Sequence, residues 1–207
     1  MKRKLITLVW LLALAGCAVS SDVTRFHTMG ADLKGADFTI VPSQNQFGTP
    51  AFAHYAARVA GNLIEHGFVA APANKVARLR VEISYRVGEK KTVTRQEPIY
   101  GYVTDPWYDF GYYPYYRGGL VPWTWTVTGY RKVERTVYPR IFELKIHDRW
   151  APRERELVFD GTAVNDGSEA NFAAVGDCLI DALFYDFPGT SGNSRSIAVS
   201  PAQCKPE

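Results

Sequence analysis

From Arg78 to Val87 the side chains alternate strictly, with Leu79, Val81, Ile83, Tyr85 and Val87 apolar and Arg78, Arg80, Glu82, Ser84 and Arg86 polar. A period of two puts each set on its own face of a strand, one buried and one wet. This argues for an antiparallel sheet with one open face, because strands covered on both sides read as unbroken apolar runs. Further strands are predicted at Val23 to His27, around Phe38 and Ile40 up to Pro42, at Thr124 to Tyr138, at Ile141 to Asp148 and at Glu156 to Val164. The helical period occurs twice. Phe52, Tyr55, Ala56, Val59, Ala60, Leu63 and Ile64 form one stripe after Thr49-Pro50, an N-cap followed by a proline whose missing N–H costs nothing at the first helical position. Gly67 is placed to end it. Phe172, Val175, Leu179, Ile180, Leu183 and Phe184 form the second stripe, expected to start near Asp166 to Ser168 with Asp166 and Glu169 in capping-box register, and stopped by Pro188. Amphipathic helices and a sheet with one apolar face bury each other by stacking in layers. The expected fold is therefore α+β, a largely antiparallel sheet of about five to six strands with two amphipathic helices packed on one face.

The first sixteen residues break this pattern. Lys2, Arg3 and Lys4 precede an apolar run from Leu5 to Leu14, and Ala15-Gly16 are small, as in a cleaved export signal. The run is too short for the ~20 residues that cross a bilayer. Leu14-Ala15-Gly16-Cys17 resembles the lipobox of bacterial lipoproteins, in which the cysteine becomes the lipidated mature N-terminus. The resemblance implies acylation of Cys17 and a stable anchor, since several acyl chains hold where one is marginal. Ala18, rather than Asp, follows Cys17, which in such lipoproteins implies the periplasmic face of the outer membrane. The expected layout is a signal peptide at 1–16, then a lipidated N-terminus, spacer and opening strand at 17–36. An α+β domain at 37–187 and a polar, flexible tail at 188–207 complete it.

Removing the signal changes the charge. The full chain carries 24 Lys and Arg against 21 Asp and Glu, and Lys2, Arg3 and Lys4 leave with the signal, so the mature chain is balanced. Nucleic acid is therefore not an expected partner. With Cys17 assigned to lipid, Cys178 and Cys204 are candidates for a disulfide in an oxidising compartment. A buried Cys178 with a free Cys204 is the alternative. His27, His54, His66 and His147 are scattered without metal-ligand spacing, and no motif calls for a metal or a cofactor.

The conspicuous segment runs from Glu97 to Trp125. It carries Tyr100, Tyr102, Trp107, Tyr108, Phe110, Tyr112, Tyr113, Tyr115, Tyr116, Trp123 and Trp125 among glycines and Pro98, Pro106, Pro114 and Pro122. Repeated proline removes ladder donors and excludes helix, so 98–122 is expected to be a long loop. Loops of this length in compact domains are usually functional or disordered. Its rings can pack on the domain's own sheet, stack on a glycan or protein partner, or rest at a membrane interface. Tyr100, Tyr102, Trp107, Tyr108, Phe110, Tyr112, Tyr113, Tyr115 and Tyr116 are the candidate binding residues. Asp105 and Asp109 could supply the two carboxylates of a glycosidase, although Asp beside Pro or Gly is common in turns. Arg78, Arg80, Arg86, Lys90, Lys91, Arg95, Arg131, Lys132, Arg135 and Arg140 lie on successive predicted strands and would make the open sheet face basic. Such a face meets anionic headgroups or an acidic partner, or simply solvates the sheet and guards an edge.

The run FTIVP, the helix AFAHYAARVAGNLIEHGF, the strand ARLRVEISYRV and the later RIFELKIHD and ELVFDGTA resemble the DUF4136 family of uncharacterised bacterial lipoproteins. The resemblance spans most of residues 23 to 187. Val158-Phe159-Asp160-Gly161 stands where that family often has Trp before Arg-Gly, so this position departs from it. The resemblance implies fold and address and no activity. With no nucleophile elbow, HExxH or Walker loop in the chain, the expected function is a non-enzymatic, lipid-anchored module. It would bind or scaffold an envelope protein or polysaccharide at the outer membrane. An envelope glycan hydrolase and a self-associating structural lipoprotein are the alternatives.

Overall fold

The computed structural model describes residues 18–43, 46–104, 123–200 and 204. In chain order the elements are β1 (Val19–His27), β2 (Asp37–Pro42), α1 (Pro50–Glu65), β3 (Val69–Ala70), β4 (Leu79–Val87), β5 (Lys91–Thr104), β6 (Trp123–Asp148), β7 (Leu157–Gly167), α2 (Gly176–Phe184) and β8 (Asn193–Val199). Single 3-10 turns lie at Ala31–Leu33 and Arg153–Arg155. The chain divides into two units, with Lys90–Val137 forming the second.

The strands follow the order β3-β2-β4-β6-β7-β1-β8, and β5, which lies in the second unit, pairs with the first part of β6. All pairings are antiparallel except those of β2 with β3 and β4. The fold is thus mixed α and β with two helices and a mostly antiparallel sheet of eight strands, more than the five to six expected. The added strands are ones whose sequence carries little signal. β3 is two residues long, and β8 lies in the segment expected to be a flexible tail. There Ile197 and Val199 turn inward, while Asn193, Ser194, Arg195, Ser196 and Ala198 are exposed and give no clean strand signal.

Three other boundaries differ from expectation. The predicted strands Thr124–Tyr138 and Ile141–Asp148 are one strand, β6, which passes through Pro139. The carbonyl of Pro139 still accepts a bond, from the Gly88 N–H at 2.7 Å. Residues 98–104, expected as loop, belong to β5. The second helix begins only at Gly176, because Asp166 and Gly167 complete β7 opposite Pro139 and Tyr138. Its N-cap, Val175, makes no side-chain capping bond, so the anticipated capping box is not used.

The first helix follows its sequence signals. Thr49 Oγ1 accepts from Phe52 N at 3.1 Å, Pro50 opens the helix, and Gly67 takes φ 89° after it. Tyr55, Val59 and Leu63 on α1, and Leu179, Ile180, Leu183 and Phe184 on α2, enter one core with Leu79, Val81, Ile83, Phe142, Leu144, Ile146 and Phe159 of the sheet. Each such buried aliphatic contributes roughly 1.5–3 kcal/mol. A disulfide joins Cys178 of α2 to Cys204, Cα to Cα 4.9 Å, fastening the segment beyond β8 to the helix. Among the described residues no helix is long and apolar enough to cross a membrane.

Candidate functional site

β5 and β6 form a long hairpin in the second unit, Lys91 pairing with Val137 at one end and Thr104 with Trp123 at the other. None of the described residues of this unit is buried. The ladder slips between Ile99, which faces Gly129, and Tyr100, which faces Val127, so Thr128 is an extra residue on β6. By residue count Trp125 and Val127 would fall opposite Tyr130; the bulge at Thr128 absorbs that odd spacing and leaves all three on one face. Opposite them on β5 stand Pro98, Tyr100 and Tyr102. The rings meet: Tyr100 stacks on Trp125 with centroids 6.2 Å apart and planes 6° from parallel, and Tyr102 meets Trp125 edge-on at 4.7 Å. Tyr100, Tyr102, Trp125 and Tyr130 nevertheless remain 54–66% exposed. Four exposed rings thus share one face of the two paired strands.

The arm is also where the net positive charge lies. Among its described residues Lys90, Lys91, Arg95, Arg131, Lys132 and Arg135 stand against Glu97 and Glu134, and the rest of the span adds Arg117 against Asp105 and Asp109. Glu97 bonds Arg131 and Arg135 at 3.0 and 3.1 Å, and the guanidinium of Arg131 leads in holding its carboxyl below the usual range. Lys91, Arg95 and Lys132 have no ion pair among the described residues. The open face of the main sheet, expected to be basic, is instead balanced. Arg80 pairs with Glu82 at 3.0 Å, Arg86 with Glu143 at 2.7 Å, and Lys145 with Asp160 at 3.9 Å. The acids that answer these cations sit on the same or a neighbouring strand, where the order of residues alone does not show them to be partners.

Arg140, another of those cations, is not on the open face. It is 8% exposed and lines a pocket of about 480 Å³ with Ala18, Ser20, Asp22, Asn165, Asp166 and Ser196 among its neighbours. Its Nη2 donates to Asn165 Oδ1, and Asn165 in turn donates to the Ser20 carbonyl at 2.6 Å. Its Nε has no partner, and no carboxylate of the described residues lies within ion-pair distance. Burial pulls this guanidinium below its ordinary value, opposed at longer range by Glu169 and Asp166.

Of the candidate binding residues, Tyr100 and Tyr102 are brought together on β5. Trp107, Tyr108, Phe110, Tyr112, Tyr113, Tyr115 and Tyr116, with Asp105 and Asp109, lie outside the described residues, as does Cys17. Cys178 and Cys204 form the expected pair. His54 meets Asp177 at 2.9 Å and His147 meets Glu156 at 3.8 Å. Among the described residues no group of three or more His, Cys, Asp or Glu could hold a metal ion. Tyr130 was missed because, counted by simple alternation, it falls on the face opposite Trp125. Only the inserted Thr128 unites them, and an insertion of one residue leaves no mark on composition.

A family described as a domain of unknown function matches residues 22–189, from within β1 to just beyond α2. The chain belongs to the DUF4136 family. The DUF4136 span contains the arm and Arg140 and stops short of β8. No curated protein matches the chain. Among solved structures it is similar to a PDZ domain protein from Parabacteroides distasonis ATCC 8503, with 10% identity and a TM-score of 0.48. That match covers 88% of this chain and 40% of the other, so the chain spans well under half of that protein.

Proposed function

We propose that this DUF4136 protein is a non-enzymatic binding module of the bacterial envelope, anchored by acyl chains on Cys17 to the periplasmic face of the outer membrane. The Lys90–Val137 arm is its contact surface, and an envelope protein or polysaccharide is its partner. The open aromatic face of Tyr100, Tyr102, Trp125 and Tyr130, set among excess cations, is the observation that carries this reading. Rigid aromatic rings supply contact area at little entropic cost, and flanking Lys and Arg draw an anionic partner toward them. The ion-paired sheet face is left out of the surface, since paired charges add little attraction at range. The resemblance of Leu14-Ala15-Gly16-Cys17 to a lipobox supports the anchor.

The test is a photo-crosslinking residue placed at Tyr102 or Trp125 in living cells, with the same residue at exposed Glu65 of α1 as control. Capture of a discrete envelope component from the arm, lost from the control and weakened by salt, is expected. Identical capture from both positions would remove the arm from the function. Metabolic fatty-acid labelling that is present in the parent and absent from Cys17→Ser is expected for the anchor; equal labelling would remove it.

A further inference from the structure

The pocket around Arg140 is separate from the arm and has its own chemistry. A guanidinium taken out of water costs several kcal/mol unless a counter-charge meets it, and among the described residues its one side-chain acceptor is the neutral Asn165. Space for the guanidinium is made by Gly167, where an added Cβ would overlap it. Asn165 is held by the Ser20 carbonyl, and Ser20 Oγ meets Ser196 Oγ at 3.0 Å, so the polar lining is fixed by bonds across β7, β1 and β8. Arg140 therefore lines the cavity with a guanidinium that no carboxylate of the described residues meets, a setting suited to a phosphate or carboxylate oxygen. The pocket also includes two exposed carboxylates, Asp22 and Asp166. A plain anion would be attracted by one group and repelled by two. A ligand with an anionic centre and an ammonium satisfies all three.

We propose that this pocket receives a phosphoethanolamine group, its phosphate on Arg140 and its ammonium between Asp22 and Asp166, supplied by the headgroup of a membrane phospholipid. The choice of a membrane source rests on the anchor reading above. Ala18 lines the pocket and is the residue next to Cys17, so acyl chains on Cys17 would hold the pocket one peptide unit, ~3.8 Å of chain, from the headgroup layer. The anchored chain would then grip the headgroup of a neighbouring lipid and fix its orientation at the surface.

The experiment titrates glycerophosphoethanolamine into the purified full chain, and into its Cys17→Ser form, with binding read by calorimetry. Glycerol phosphate, inorganic phosphate and glycerophosphocholine serve as comparators. Glycerophosphoethanolamine is expected to bind at least about tenfold more tightly than glycerol phosphate, because loss of a charge-assisted contact costs that much. Asp166→Asn, an exposed substitution that keeps the fold, is expected to erase this preference while leaving glycerol phosphate bound as well or better. Arg140→Gln is expected to abolish binding of both; should that variant not fold, Asp22→Asn and Asp166→Asn together decide the matter. Equal binding of inorganic phosphate and glycerophosphoethanolamine, or no response to Asp166→Asn, would overturn the proposal. Binding by an unlabelled chain would leave the phosphoethanolamine site standing and overturn its membrane source, and a labelled chain that binds nothing would overturn the site alone. Vesicles containing phosphatidylethanolamine, compared with phosphatidylcholine vesicles, separate a lipid source from the free headgroup: retention of the Cys17→Ser chain only on the former is the supporting outcome.

Discussion

Arg78 and Asp148 meet through two side-by-side hydrogen bonds, Nε to Oδ1 at 3.0 Å and Nη2 to Oδ2 at 2.8 Å. Their strands place them there: Leu79 pairs with Asp148, so Arg78 enters β4 just where β6 ends. Asp148 is 5% exposed and its Oδ1 also accepts the Trp150 N–H at 3.0 Å, while the Trp150 ring lies 4.9 Å from the Arg78 guanidinium carbon. The pair closes one end of the sheet and ties the turn after β6 to it.

Asp148→Asn is expected to lower unfolding stability by about 1–2 kcal/mol, less than for a fully enclosed pair because Arg78 keeps a second partner in Asp32 at 3.3 Å. The Arg78 bonds, and then the Trp150 N–H, hold the Asp148 carboxyl below its ordinary value, despite burial. A depressed folded-state value means that this contribution is complete above the unfolded value near 3.9 and is lost as pH falls below it through the folded value. Urea midpoints measured from pH 6 down to pH 2 should fall more steeply below about pH 4 in the parent than in Asp148→Asn.

The Cys178–Cys204 bridge closes a loop of 26 residues in sequence, for which the chain-entropy estimate is about 3.5 kcal/mol. Cys204→Ser, or reduction, is expected to lower stability by ~3 kcal/mol. Because β8, among the described residues, pairs with β1 alone, amide exchange should accelerate first in Ser194–Val199. Uniform acceleration through β4 and β6 instead would show that the bridge holds the whole core.

What the sequence made legible follows from where burial has a period. β4 and the Ile141–Asp148 part of β6 alternate cleanly, since each is buried on one face, and α1 carries both its cap and its stripe. Asp166 and Glu169 misled because a capping-box spacing is a local pattern, and the pairing of Asp166 with Pro139 draws that residue into β7 instead. Pairing partners distant in sequence also explain β8 and the neutralised sheet face. The tyrosines of the arm were visible by composition, but their common face with Trp125 and Tyr130 depends on register, which composition does not carry. Arg140 read as one more surface cation, because nothing local distinguishes a buried arginine on a strand from an exposed one.

Arg25 offers a test of such a buried cation with a structural task. It is 6% exposed and its Nη2 donates to the carbonyls of Ala182 at 3.0 Å and Tyr185 at 2.7 Å, at the C-terminal end of α2, where carbonyls lack helical donors. Burial leads in pulling its value below the ordinary guanidinium range, with Asp186 opposing, and it stays charged at working pH. Arg25→Gln is expected to cost about 2–3 kcal/mol by leaving a buried carbonyl unmet, with Arg25→Lys recovering part of this. Equal stability of the parent and Arg25→Gln in urea would show that water meets those carbonyls instead.

Thr128 absorbs the odd spacing between Trp125 and Tyr130 without belonging to the aromatic face. Its Oγ1 donates to the Ile99 carbonyl at 3.2 Å, at the slip in the ladder. Deleting it leaves Val127 two and Trp125 four positions from Tyr130, so strict alternation keeps all three on the face that meets Tyr100 and Tyr102. Since the residues of the arm contribute nothing to the buried core, the deletion is expected to change the urea midpoint little, by less than about 0.5 kcal/mol. The Tyr100–Trp125 stack should persist, seen as retained near-ultraviolet circular dichroism and tyrosine-to-tryptophan energy transfer relative to the parent, and crosslinking from position 102 should persist with it. Tyr130→Ala keeps the register and removes a ring from the same face, and should weaken capture without disturbing the stack. Loss of the stack on deletion of Thr128 would show that the bulge itself, and not alternation, sets the face.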